Sequence, residues 1–532
     1  MKYLPAYLFL LVMITFSSSG CKVYKFRSAY TQANELIHST DNREPLPYLK
    51  AHMKNGNVYI LTNQWEIDTT KNLVSGDGTL YDFNRTFISK GKQIVRIDSV
   101  AIFETNKVIQ PHEGNRIAAL SILTGFDVTL GIICFVVPKA CFGSCPTFYI
   151  NQNDNFHYAD AEGFSNAISP ALEYTDIDAL NYTTSGTDTF CITMKNEAQE
   201  THCVNDVSLL AYPVNAGEYV FQTPDQQFYL CKEIQPLKQA SSTKEDITHE
   251  LRYNDREEWF SLANANNLSS KEELFLNFDN PDTSENLGLI LNFRQSLMTT
   301  YFIYSGLDYM GNQAGDIFAK IENGSEVSIK LRNGIKKELG NIQVFLWDEQ
   351  QKSWIEKEGF YETGPIAYNK QMTLLGRHPA GQPVKLKIVV NKGLWRLNYA
   401  ALTHVLHPVS PVILKPDKIV KNDKENKQAL ADLRSDKNYL ISMTGDTYKL
   451  HFNLPDSTHD YELFLSATGY YLEWMRSHWL KEKNLPKLRQ MLHNPRKYLR
   501  TEAKAYKQYE ATMEEQFWNS KIESNPFTLY EK

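Results

Sequence analysis

Two short stretches carry the residue types best suited to chemistry. In "PKACFGSCPTFY" (138–149), Cys141 and Cys145 lie four residues apart with a proline behind the second. Two thiols so placed can close a bridge, exchange disulfides or hold a soft metal. In "NEAQETH" (196–202), Glu197, Glu200 and His202 lie within six positions. On a strand, Glu200 and His202 would share one face, near enough to work as an acid–base pair. The simpler reading of the same residues is a solvated hairpin tip.

Weaker spacings accompany these. Asn151, Asn153, Asn155 and Glu162 occupy calcium-loop positions 1, 3, 5 and 12, but Phe156 stands where that loop needs glycine. His404 and His407 form an H-x-x-H with no third ligand nearby. Both sets read as ordinary β-domain residues. Trp347, Trp354 and Tyr361, with Tyr368 and Trp395, concentrate aromatic side chains in one region. Exposed rings there could stack on sugars, although core packing is the better explanation of any single one. The chain has no G-x-S-x-G elbow, phosphate loop, dinucleotide fingerprint or H-E-x-x-H. No cofactor and no metal site is called for, and the reading leans away from an enzyme.

The elements that must position these residues are mostly strands. Residues 46–115 predict a small β domain, with "NVYILTNQWEID" and "IVRIDSVAIFET" as half-buried strands and "SGDGTLYDFN" as a turn through Gly76 and Gly78. The region 116–235 opens on an apolar segment, Ile117–Val137, with Asp127 at its centre. It is read as buried core in preference to a membrane span. Cys-containing strands follow it. Residues 236–270 read as a linker, and 271–415 as a β-sandwich-like domain with a helical insertion at 296–321. In 416–532 a charged stretch and a hairpin lead to a helical section. Leu472, Met475 and Trp479 share one helical face there, and Leu499, Ala503, Tyr506, Met513 and Phe517 another. Asn494 and Pro495 are expected to start the last helix. The fold class is therefore mainly β, multi-domain, with β-sandwich-like domains and an α-helical C-terminal section.

The N-terminus gives an address. Residues 1–20 have a lysine, an apolar core and small residues before Cys21, the organisation of a secretory signal. Beyond Cys21 there are six cysteines, an even number that favours bridges in an exported chain. A hairpin centred on Glu197 would set Cys191 opposite Cys203, and Cys141 with Cys145 would form a staple. Cys134 and Cys231 remain to be placed, and other pairings among Cys134, Cys141, Cys145 and Cys231 stay open.

The signal resembles that of bacterial lipoproteins, in which the cysteine is acylated and becomes the mature N-terminus, although Ser18 stands where an aliphatic residue is usual. The resemblance implies a membrane anchor such as palmitate at Cys21, with 21–45 as a tether. The absence of an acidic cluster after Cys21 points to the periplasmic side of the outer membrane. "GLWRLNYAAL", "GYYLEWMR" and the two stretches quoted first resemble segments of uncharacterised bacterial envelope proteins. "CFGSCP" also resembles the C-x-x-x-C-P copper motif of thioredoxin-like assembly factors, but a strand and not a helix is expected to follow it.

Loss of the signal removes Lys2 and takes the formal net charge one unit below the −6 of the full 532-residue chain. With no long basic cluster, nucleic acid is excluded as a partner. These features predict a lipid-anchored envelope protein that binds or assembles, with an envelope protein or a glycan as partner. A thiol- or metal-handling protein using Cys141 and Cys145 is the alternative, and a carbohydrate-binding lipoprotein the third reading.

Overall fold

The computed structural model describes residues 27–29, 49–105, 145–313, 317, 334–473 and 483–519, apart from short gaps within these segments. Cys21, Cys134, Cys141, the apolar segment 117–137 and Asn151, Asn153 and Asn155 lie outside them. The protein is mainly β, with several multi-sheet domains and a helical C-terminal section.

The first sheet has seven strands and its own core of Leu49, Ala51, Leu61, Trp65, Val74 and Val95. Arg27–Ala29 pairs with Val100–Thr105, so the stretch expected to be only a tether contributes an edge strand. Gly76 and Gly78 do not form a turn. Both lie inside the Leu73–Tyr81 strand, where a Cβ would collide with Trp65 and with the Ile60–Leu61 backbone respectively.

The second and third sheets are woven from segments far apart in sequence. In the second, Glu200–Val214 lies between Asp460–Glu473 and the short Val412–Leu414 strand, with Tyr174–Thr184 beyond. In the third, Thr189–Lys195 lies between Thr147–Tyr149 and Thr447–Asn453. The chain therefore changes sheets between Lys195 and Glu200, and again between Ser442 and Thr447. Neither segment makes the hairpin that local sequence suggests. The two corners bond to each other instead: Asn196 N donates to Asp446 O and Gly445 N to Asn196 O. This overturns the Cys191–Cys203 bridge. Cys191 stands opposite His451 and Cys203 opposite Ile441 and Tyr470, and both side chains are thiols outside any disulfide.

The fourth sheet runs Phe228–Pro236, Glu218–Gln222, Asn369–His378, Glu285–Gln295, Trp395–Pro408 and Trp259–Phe260. The fifth is built around Lys271–Phe278 and Val384–Asn391. Leu287, Leu289, Leu291 and Phe293 from the fourth share one apolar cluster with Leu274, Leu276, Leu386 and Ile388 from the fifth. Strand alternation leaves the even positions Ile290, Asn292 and Arg294 on the opposite face. Residues 236–270 are not a linker. Gln239–Ser241 pairs with Lys271–Phe278, Trp259–Phe260 pairs with Trp395–Pro408, and Leu237, Ile247, Leu251 and Trp259 are buried. The segments 116–235, 271–415 and 416–532 thus exchange strands, and sheet boundaries do not follow those positions.

Helix Met298–Met310 occupies the predicted excursion, packed near Leu485–His493. In Pro495–Asn519 the expected apolar face is buried at Leu499, Ala503, Tyr506 and Met513, and Asn494 Oδ1 accepts Lys497 N at 3.3 Å. "GYYLE" is strand, not helix: Leu472 stands opposite Thr201 in the Asp460–Glu473 ladder. Met475 and Trp479 lie outside the described residues. No helix among the described residues is long and apolar enough to cross a membrane.

Candidate functional site

The two stretches singled out in the sequence meet in space. Thr147 and Tyr149 hydroxyls, just after Cys145, donate to Glu197 Oε2 at 3.0 and 2.7 Å. Glu200 and His202 are both fully buried, with Nε2 of the histidine 2.7 Å from Glu200 Oε1. The shared strand face is present, but the solvated tip is not: the chain dives into the second sheet at this point instead of turning in solvent. Cys145 is buried, and its thiol donates to Glu162 Oε1 at 2.8 Å. Burial, with Glu162 and more distantly Glu200 and Asp176 adding negative charge, pushes that thiol well above its usual pKa. A nucleophilic or metal-binding cysteine needs the opposite shift. Cys231 is likewise an unbridged, buried thiol, 3.7 Å from Met372 Sδ, and burial pushes it up to about 12. Among the described residues no group of three or more His, Cys, Asp or Glu is placed to hold a metal ion.

Glu162, the twelfth position of the calcium-loop spacing, has both carboxyl oxygens engaged by protein donors. Its Oε2 accepts the backbone N–H groups of Ile366 and Ala367 at 2.7 and 3.3 Å, while its own N–H donates to Asp178 Oδ2 at 2.7 Å. Burial raises its pKa to about 7 against the partial opposition of these bonds. Gly364 permits the approach, because a Cβ there would strike the Glu162 carboxyl group. The clamp fixes Ile366 and Ala367, and Ala367 forms a parallel bridge with Ala159. Immediately beyond these anchored residues stand Asp160 and Tyr368.

Those two residues open onto a polar cavity of about 210 Å³. Its other polar lining residues are Asn181, Asn254, Asn292 and Asn398. Asn254 Oδ1 accepts from Asn292 Nδ2 at 2.7 Å and from Asn398 Nδ2 at 2.8 Å, which locks three amides into one unit. Two ladder irregularities aim side chains here. Between Asn292 and Phe293 the register with Trp395–Pro408 slips, leaving Asn398 as the extra residue. Between Ala179 and Thr183 the pairing with Asp460–Glu473 slips as well, and Asn181 adopts a left-handed φ of 51°. Bulges that re-aim a side chain, and strained non-glycine backbone, concentrate at functional sites. Asn292 is 3% exposed, and its Oδ1 is buried with no partner among the described residues. An unmet buried acceptor costs about 1–3 kcal/mol, so its retention wants a reason.

An ion cluster lies along the same sheet face. Arg294, 1% exposed, grips Glu258 through Nε at 2.5 Å and Nη2 at 2.9 Å, and reaches Glu514 of the last helix at 3.1 Å. Arg396 pairs with Glu258 at 3.1 Å and Glu514 at 3.3 Å, stacked 4.0 Å from the Phe260 ring centre. Tyr368 OH donates to Glu258 Oε1 at 2.8 Å, tying the cavity wall to the cluster. The guanidinium groups hold Glu514 below its ordinary pKa despite burial.

The aromatic candidates are elsewhere. Trp347 and Trp354 face each other across a hairpin in the fifth sheet, ring centres 5.3 Å apart, and Tyr361 is 48% exposed at its end. Trp395 is core, at 1% exposure. His404 lies 3.6 Å from Glu233, and His407 is exposed. Of the residues that form the cavity, only Tyr368 stands out in the sequence.

No protein-family model matches the chain, and no curated protein does. Among solved structures, a mutant VP2 protein of infectious bursal disease virus is 10% identical over 75% of this chain and 95% of its own, at a TM-score of 0.15. The infectious bursal disease virus Gt strain structure is 11% identical over 72% and 100%, at 0.15. The secreted serine protease VesC from Vibrio cholerae is 9% identical over 70% and 75%, at 0.13. At these scores neither the fold nor the function of those proteins transfers.

Proposed function

We propose that the chain is a lipid-anchored cell-envelope protein, held through Cys21 at the outer membrane facing the periplasm, which binds or assembles and does not catalyse a reaction. The observation that carries the binding role is the asparagine-lined cavity, whose amides are prearranged by two bulges. Prearranged groups lose little entropy on binding, which favours recognition. Glu162 and Cys145 support its wall, which gives the "CFGSCP" stretch a structural use. The thiol- or metal-handling alternative gains nothing from Cys145, whose buried thiol is held protonated beside a carboxyl group.

Two experiments test this. Expressed in a bacterium with its full signal, the chain is expected to fractionate with membranes and to carry acyl chains on Cys21. Cys21→Ser should release it to the soluble fraction; a variant that stays membrane-bound and an unacylated wild type would each remove the anchor. For the cavity, the mature protein is mixed with hexoses, amino acids, nucleosides, inorganic phosphate and polyamines, each followed by saturation-transfer NMR. At least one class should be saturated by wild type and more weakly by Asn181→Gly, which suits the left-handed backbone while removing the amide. Silence from every class would sink the binding role.

A further inference from the structure

We infer that the cavity takes a neutral saccharide unit, a single hydroxylated six-membered ring. The inference rests on the binding role proposed above and specifies its ligand.

The chemistry of the lining selects the class. A side-chain amide offers two donors and an acceptor with two lone pairs, and a sugar hydroxyl both donates and accepts. Asn254 spends its oxygen on Asn292 and Asn398 and is itself exposed, which leaves its Nδ2 as a donor for a ligand. Asn292 lines the same space and fixes Asn254 through Nδ2, its own Oδ1 lying beneath the surface. Asn181, exposed on the rim, uses Nδ2 on Ala179 O at 3.3 Å and leaves its oxygen for a ligand. A donor from Asn254 and an acceptor from Asn181 therefore meet one small space, which suits a hydroxylated ring better than a ligand of one polarity.

Charge points the same way. Arg294 and Arg396 are matched by Glu258 and Glu514. Lys370, opposite Asn292 in the ladder, interacts with Glu462. Asp160, the one acidic lining residue, accepts Ile150 N at 2.7 Å. No surplus cation remains among the lining residues for a phosphate or carboxylate. Tyr368 supplies an aromatic wall whose hydroxyl is already tied to Glu258, so its ring is held in place to meet the apolar face of a pyranose. The volume of about 210 Å³ admits one ring and not a disaccharide buried whole.

The test is titration calorimetry of the mature protein with D-glucose, D-galactose, D-mannose, L-fucose, N-acetylglucosamine and N-acetylgalactosamine, beside L-glutamine, uridine and inorganic phosphate. At least one sugar should bind at a 1:1 ratio. Asn181→Gly should weaken it about tenfold, the worth of one hydrogen bond in a desolvated site. Asn398→Leu should weaken it further, and its circular dichroism and melting curve establish whether it is folded. If it is not, Tyr368→Leu takes its place. Should glutamine, uridine or phosphate bind while all six sugars fail, the saccharide assignment falls and the binding role stands. If nothing binds, both fall. Sugar binding unchanged in Asn181→Gly and in the folded second variant would move the site off this cavity and overturn the inference.

Discussion

Replacement of Arg294 by methionine is expected to cost about 3–5 kcal/mol of folding free energy, read as a lower urea midpoint of the sheet-and-helix body. The guanidinium is buried and serves four partners at once: Glu258, Glu514, and the carbonyls of Gln295 and Pro365. Methionine fills much of the volume, so loss of packing is a small part of the effect. The large part is Glu258 and Glu514, two buried carboxylates that Arg396 would then have to serve without its partner guanidinium. Lysine should not rescue the variant, because a point charge on a flexible stem cannot make the forked contact with Glu258 and the second contact with Glu514 together. A midpoint for Arg294→Met within error of wild type would show that the cluster is not what joins the last helix to the fourth sheet.

The same strand explains what the sequence could and could not reveal. "LWRLNYAAL" is legible as a strand from its aliphatic and aromatic residues and falls in the Trp395–Pro408 strand, but its burial does not alternate, and residues 288–295 of the neighbouring strand are buried on both faces. The last helix is legible because Leu499, Ala503, Tyr506 and Met513 recur at helical spacing, and all four are buried. Pairing is not legible. Alternation tells a strand which face is buried but not which strand lies beside it, and Thr189–Lys195 finds a partner more than 250 positions away. Proximity therefore favours hairpins where the chain actually crosses between sheets, and the Cys191–Cys203 bridge falls with them.

The cavity escapes sequence reading for a related reason. Its amides come from four separated segments, one of them inside the supposed linker, and a lone asparagine has no periodicity. One signal is nevertheless present: Asn292 precedes Arg294 by two, and Asn398 follows Arg396 by two, in the apolar middle or start of their strands. Two polar pairs of mirrored order at positions that should face a sheet interior mark a buried polar network, since neither group is buried without partners. Cys145 stands out for its spacing, yet its part in the structure is to donate to Glu162.

Glu162 gives the second large effect, a pH dependence with a definite sign. In the unfolded chain its carboxyl titrates near the ordinary 4.5, and in the folded protein near 7. Below about pH 4.5 both states hold the proton and the niche carries no buried charge from this group. Between the two values the folded state holds the proton more tightly, so its advantage declines as pH rises and is lost once pH passes 7. A shift of this size is worth up to about 3 kcal/mol. Asp178, buried beside it, is raised in the same direction, whereas Glu514 is lowered and contributes the opposite slope. The total profile therefore mixes signs, and the informative quantity is the difference between wild type and Glu162→Gln. Glutamine copies the neutral carboxyl group and can still accept from Ile366 and Ala367. Relative to the variant, wild type should lose stability steadily from about pH 4.5 to 7.5 in urea titrations, by an amount that levels off above 7.5. Parallel profiles would mean that Glu162 titrates alike in the folded and unfolded chain, and a difference of opposite sign would mean that its bonds to Cys145 and the two backbone amides outweigh burial.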